Sequence, residues 1–390
     1  MTRDLRIRRL TVHEYSRTSQ DLGYDYNGFN NVYQKGAQSK GTGYVFTIET
    51  EAGITGEYVG GTSVSYAQVA MCAEYLIGKD ATQRELIWND LKRALRKHDR
   101  FGMAPIDVAL WDIAGKAYDA PISELLGGYR TSLPAYASTF HGDENGGLDS
   151  PEAFAEFAVE CKAIGYPAFK IHGWGNGSIA REVATVLKTR EAVGPEMDLM
   201  IDPACEYNTF GDALKVGRAC DEAKFFWYED PYKDGGTSAF AHRKLRQMIN
   251  TPILLGEHVR GFELHVDQII AEGTDYVRAD VDYDGGITGV MKLAHAAEGF
   301  GLDCEIHAPG PAPRHCMAAI RNTNYYELGL VHPKLARGKG RRAIFSSDYS
   351  DGLDSVDVRG HVPVPTGPGL GVTIDWDWVR KNETGKVVYE

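Results

Sequence analysis

From Leu133 onward the chain alternates between short apolar runs and helix-patterned stretches. The runs are "LPAYASTF", "AFKIHGW", "MDLMID", "FFWYED", "PILLGEH", "DYVRAD" and "LDCEIHA". Strands separated by helices form βα units and a parallel sheet. Short, apolar strands of this kind suit a sheet buried on both faces. Residues 1–130 have another texture. A strand near Ile7–Tyr15 leads into a polar, aromatic loop, "LGYDYNGFNNVYQKGAQSKG". A hairpin with an Ala-Gly turn is expected in "YVFTIETEAGITGEYV", then helices near 65–78, 82–98 and 104–119. This is an α+β unit, and the strand-like "GPGLGVTIDWDWV" is expected to return to it.

Composition excludes several classes. The net charge is −12 over 390 residues, without a basic tail or stripe, so nucleic acid is not the expected partner. The longest apolar runs fall far short of a membrane span. The start, "MTRDLRIRRL", is too charged for a signal peptide. Six cysteines without a CxxC pair suit a reduced, cytoplasmic protein.

The strand ends carry the chemistry. "MIDPACEY" ends its strand on Asp202, "FWYEDP" on Glu229 and "LLGEH" on Glu257, spaced 27 and 28 residues apart. That spacing is one βα unit, so the three acids converge if the sheet closes into a barrel. Like charges in one site need a compensating cation, and oxygen-only ligands suit a hard one such as Mg²⁺. "YVRAD" ends on Asp280 and "CEIH" on His307, again 27 residues on. A carboxylate one strand away can orient an imidazole and raise its proton affinity, which makes a general acid or base. Lys170 and His172 in "AFKIHGW" share one strand face by the i, i+2 rule and flank the acids from the other side. His258 follows Glu257 and is read as pointing away from its face.

Together these residues resemble the enolase superfamily, and within it the mandelate racemase subgroup. "MAPIDVALWDIAGKAYDAPISELLGG" (103–128) is similar to the signature helix that packs the first domain onto the barrel. The resemblance implies an α/β fold: a modified (β/α)8-type (TIM) barrel over 131–364, with an N-terminal α+β capping domain over 1–130 joined by about 365–390. It implies one Mg²⁺ per subunit on Asp202, Glu229 and Glu257. The aspartate five residues before Gly-Gly in "ADVDYDGGITG", Asp280, would partner His307. Glu327 in "NTNYYELG" would bond a substrate carboxylate oxygen, donating if protonated. The second strand departs from the usual Lys-x-Lys, having Lys170-x-His172. An imidazole then stands at the base position, and the Lys170 charge is expected to keep it neutral. This departure favours acid-sugar dehydratases over racemases, because they vary more there.

The expected reaction is Mg²⁺-dependent removal of the proton α to a carboxylate, through an enediolate, with dehydration of a sugar acid to a 2-keto-3-deoxy acid. Racemisation or epimerisation, or an amino-acid or betaine-type substrate, is the alternative; a metal-binding barrel without catalysis is a third. Tyr24, Asn27, Asn30 and Tyr33 of the first-domain loop, with Trp174, are the candidate substrate contacts, offering hydrogen bonds to a polyhydroxylated acid. Trp174 with tyrosines also suits stacking on an ammonium group. A homo-oligomer is expected.

Overall fold

A computed structural model describes residues 4–174, 178–335 and 344–390. The chain opens with strands β1 (Ile7–Tyr24), β2 (Asn31–Thr50) and β3 (Thr55–Val59). Helices α1 (Ser63–Leu76), α2 (Arg84–Ala94), α3 (Met103–Tyr118) and the short α4 (Ile122–Leu125) follow. Then come β4 (Ser132–Thr139), α5 (Pro151–Ile164), β5 (Ala168–His172), α6 (Ile179–Val193), β6 (Asp198–Asp202), α7 (Phe210–Ala223), β7 (Trp227–Glu229) and α8 (Ala239–Arg246). Next are β8 (Ile253–Leu255), α9 (Phe262–Ile270), β9 (Tyr276–Asp280), α10 (Gly286–Gly299), β10 (Asp303–His307), α11 (Pro311–Ala319) and β11 (Tyr326–Val331). The described chain closes with β12 (His361–Pro363), α12 (Trp376–Asn382) and β13 (Glu383–Tyr389).

Eight parallel strands run in the order β10-β9-β8-β7-β6-β5-β4-β11 and form a nearly closed barrel. The N-terminal sheet is antiparallel, ordered β13-β1-β2-β3. The segment read as a returning strand is largely irregular and ends in α12, capped by the Asp375 carboxylate on the Trp378 amide at 2.9 Å. The strand that joins β1 is the one after it, Glu383–Tyr389.

The expected polar loop is also corrected. β1 and β2 continue through it as one ribbon, paired from Ile7–Thr50 to Tyr24–Asn31, so that only residues 25–30 turn. Its middle, residues 17–21 and 34–42, is exposed or half-buried on both faces, while Leu22, Val32 and Tyr33 nearer the tip are buried. With neither face buried, that middle stretch lacks the apolar alternation that marks a strand.

The cap and barrel share one apolar core. Asp107 of α3 accepts from the Thr288 amide at 2.9 Å and from its hydroxyl at 2.6 Å, tying α3 to α10. The Gly285-Gly286 pair makes that approach possible. Both have positive φ, and a Cβ on Gly286 would meet Asp107 Oδ2 at 2.4 Å. Among the described residues no helix is long and apolar enough to cross a membrane.

Candidate active site

Parallel register places the first pair. His172 of β5 lies opposite Asp202 of β6, with Lys170 two residues earlier on the same face. Glu229 ends β7, and Glu257 stands just beyond β8 on the following turn. Carboxylate oxygens of Asp202, Glu229 and Glu257 lie within 4.8 Å of one another.

Beneath this cluster sits a buried ionic network. Lys170 Nζ is 3.0 Å from Glu327 Oε1, 3.1 Å from Glu229 Oε2 and 3.3 Å from Asp202 Oδ2. Arg278 Nε lies 2.9 Å from Glu229 Oε1, and its Nη2 donates to Glu327 Oε2 at 2.7 Å and to the Tyr136 hydroxyl at 3.1 Å. Burial works to discharge Lys170, but Glu229 and Glu327 outweigh it and hold its proton affinity well above the ordinary lysine value. Burial likewise opposes the charge on Glu327, and Lys170 and Arg278 overcome it, keeping the carboxyl well below its usual range. Glu327 is therefore held ionised. It is ion-paired with Lys170 and accepts from Arg278, the Ser138 hydroxyl at 2.9 Å and the Ala308 amide at 3.0 Å, rather than donating as a protonated acid.

A charge count shows what else the site needs. Asp202, Glu229, Glu257 and Glu327 are faced by two permanent cations, Lys170 and Arg278. Asp230 stands outside this count, because burial, then Glu257 and Glu229, push its carboxyl well up. The surplus equals one divalent cation, and the all-oxygen trio is the donor set a hard cation takes.

The two histidines stand on strands either side of the acidic ones in sheet order, β5 and β10. His172 Nδ1 donates to the Thr139 carbonyl at 2.7 Å, which leaves Nε2 facing Asp202 Oδ2 at 3.1 Å. His307 Nδ1 is bonded to Asp280 Oδ2, and its Nε2 lies 3.4 Å from Glu257 Oε2. Asp280 is itself aimed by the amides of Asp282 (2.5 Å) and Tyr283 (2.9 Å). Burial works against a charge on His307, but Glu257 and Asp280 prevail and raise it to about 10. Both histidines, with Asp202, Glu257 and Glu327, line one cleft of about 730 Å³. Lys170 lies wholly buried below it.

The expected substrate contacts fare unevenly. Asn30 lines the cleft. Tyr24 is 52% exposed, with its hydroxyl 3.3 Å from that of Ser39, and Asn27 is half-buried and accepts from the Phe29 amide at 3.1 Å. Neither borders the cleft, because the ribbon carries them past the mouth. Tyr33 is buried and stacks on His332 at 4.7 Å, so His332 meets the cleft in its place. Trp174 is buried against Phe154, and the Arg181 guanidinium lies 3.8 Å from its ring centre, which takes the face an ammonium ligand needs. His258, read as turned away, lines the cleft. Arg278 escaped the sequence reading, although the i, i+2 rule that pairs Lys170 with His172 also pairs it with Asp280.

Residues 153–378 match the family model described as enolase C-terminal domain-like, and residues 35–127 match the mandelate racemase / muconate lactonizing enzyme N-terminal domain. The chain belongs to the enolase superfamily. This enolase-superfamily member is 32% identical over 343 residues to D-galactarolactone cycloisomerase of Agrobacterium fabrum, covering 85% of this chain and 88% of that one. It is 28% identical over 365 residues to D-galactonate dehydratase of Xanthomonas oryzae pv. oryzae, covering 86% and 89%. Among solved structures, D-glucarate dehydratase from Agrobacterium tumefaciens complexed with magnesium superposes with a TM-score of 0.86 at 30% identity, covering 98% of this chain and all of that one.

Proposed function

We propose that this protein is a Mg²⁺-dependent acid-sugar dehydratase that converts a sugar acid to a 2-keto-3-deoxy acid. The observation that carries the reading is that His172 and His307, on strands flanking the three-carboxylate cluster, open into one cleft. The relatives named as dehydratases, and the magnesium complex of D-glucarate dehydratase, support it.

Asp202, Glu229 and Glu257 are the residues that hold Mg²⁺. When bound, the ion supplies Lewis-acid stabilisation of negative charge growing on the substrate carboxylate. Lys170 and Arg278 hold Glu229 and Glu327 in place and offset their charge. His172 takes the α proton at Nε2, and the C–H electron pair passes into the enediolate. His307, charged and held by Asp280, gives its Nε2 proton to the β-hydroxyl as the C–O bond breaks, releasing water. The enol then tautomerises to the 2-keto acid.

The lining that the cap supplies to the cleft refines the substrate class. Arg17, Thr18, Ser19 and Gln20 of β1 line it, and the exposed Arg17 guanidinium has no hydrogen bond or ion pair among the described residues. A free guanidinium and neighbouring polar groups suit a second carboxylate, so an aldaric acid is favoured over an aldonic acid. Six free cysteines suit a reducing cytoplasm. Tyr24, Tyr26 and Phe29, exposed at the ribbon tip, support a homo-oligomer.

The test is incubation with a sugar-acid panel in D₂O with Mg²⁺. Solvent deuterium uptake with 2-keto acid formation is expected. Uptake with inversion alone would reassign the protein as an epimerase, and no turnover of any aldonic or aldaric acid would refute the proposal.

A further inference from the structure

The strand ends that carry the oxygen trio also carry a second set of donors. Cys205 stands three residues after Asp202, Asp230 directly after Glu229, and His258 directly after Glu257. One ligand atom from each lies within 4.8 Å of the others. The turns that follow the strands hold this arrangement. The Cys205 amide donates to the Asp230 carbonyl at 2.8 Å, and the Asp230 amide to the Leu254 carbonyl at 3.4 Å. Ala204 and Cys205 both take left-handed backbone, with φ of 49° and 62°, a conformation uncommon outside glycine.

A second, independent observation points to a ligand. Asp230 is fully buried, and neither carboxylate oxygen has a hydrogen-bond partner. His258 Nε2 approaches Oδ2 at 3.8 Å, too far for a hydrogen bond. A buried carboxylate without a donor is costly, so such a group marks a place where something else completes it.

We propose that Cys205, Asp230 and His258 form a second divalent-cation site, of zinc type. Thiolate, imidazole and carboxylate are donors that Zn²⁺ takes in tetrahedral geometry, and three protein ligands leave a fourth position open. The oxygen-only trio suits Mg²⁺, so ligand softness separates the two sites. His258 and Glu257 both border the cleft, which places the zinc-type site beside the reaction centre.

Co²⁺ is the probe, added to the full chain in saturating Mg²⁺. A thiolate-to-cobalt charge-transfer band that saturates at one equivalent is expected. The band should vanish in Cys205→Ser. In His258→Gln it should persist with affinity weakened by more than about tenfold, since loss of a mere orienting partner already costs that much. His258 is a third exposed, so this variant tests the site even if Cys205→Ser fails to fold. Cobalt that binds without the band, a band that survives Cys205→Ser, or a band unaffected by His258→Gln would each overturn the proposal.

Discussion

Asp280 holds His307 by Nδ1 and so aims Nε2 at Glu257, 3.4 Å away. The bond sets both the tautomer and the charge of the imidazole. Removing the ring in His307→Asn should lower 2-keto acid formation by about 10²–10⁴-fold, the usual worth of a placed acid. Deuterium exchange at the α carbon should survive, because His172 remains. If exchange is lost while His172→Asn retains it, the two roles are reversed.

Asp280→Asn removes one of the charges that raises His307. A group that must be protonated to act loses activity above its pKa. The basic limb of the pH–rate profile should therefore move to lower pH, with a rate loss of roughly 10–100-fold. An unmoved limb would show that another group supplies the proton.

Stability carries the same signature with a definite sign. The His307 value rises from 6.5 to about 10 on folding. Its contribution is complete below pH 6.5 and is lost as pH climbs through about 10. Denaturant unfolding in excess chelator should show stability falling across that window, and His307→Asn should flatten the fall.

Lys170→Met keeps the bulk of the stem but leaves Glu229, Glu327 and Asp202 short of one buried cation. Removing one partner from a buried ion pair costs about 3–5 kcal/mol. Chemical unfolding should show a loss of that order, partly recovered in the double variant Lys170→Met/Glu327→Gln. Equal losses in single and double variants would mean that Lys170 acts through packing alone.

Arg17→Ala tests the substrate class. A hydrogen bond to a charged group is worth about 1.5–3 kcal/mol, so kcat/KM for an aldaric acid should fall by roughly ten- to a hundredfold or more. Aldonic acids should be affected far less. Equal effects on both classes would remove Arg17 from recognition of the second carboxylate.

The order of strands along the chain made much of this readable. Asp202, Glu229, Asp280 and His307 end four of the barrel strands, and a strand's final residue is known once the apolar run is known. Their convergence needs only that parallel strands curl the same way. The cap ribbon was less legible, since polar residues on both faces look like a loop until pairing across Arg17–Gly41 supplies the backbone hydrogen bonds. Pairing also carried Tyr24 and Asn27 past the cleft and Arg17 into it. Trp174, a candidate substrate contact from its place at a strand end, packs instead against Phe154 and Arg181.

The sequence alone thus determined which carboxylates and imidazoles gather at one end of a barrel, because strand period and βα spacing are local properties of the chain. Tertiary structure decided what each group touches. That Glu327 is pinned as an anion by Lys170 and Arg278, and that the carboxylate of Asp230 is left without a donor, depends on side chains from strands far apart in sequence. Charge in a buried site is set by distances of a few ångströms across the barrel, and no local pattern encodes those distances.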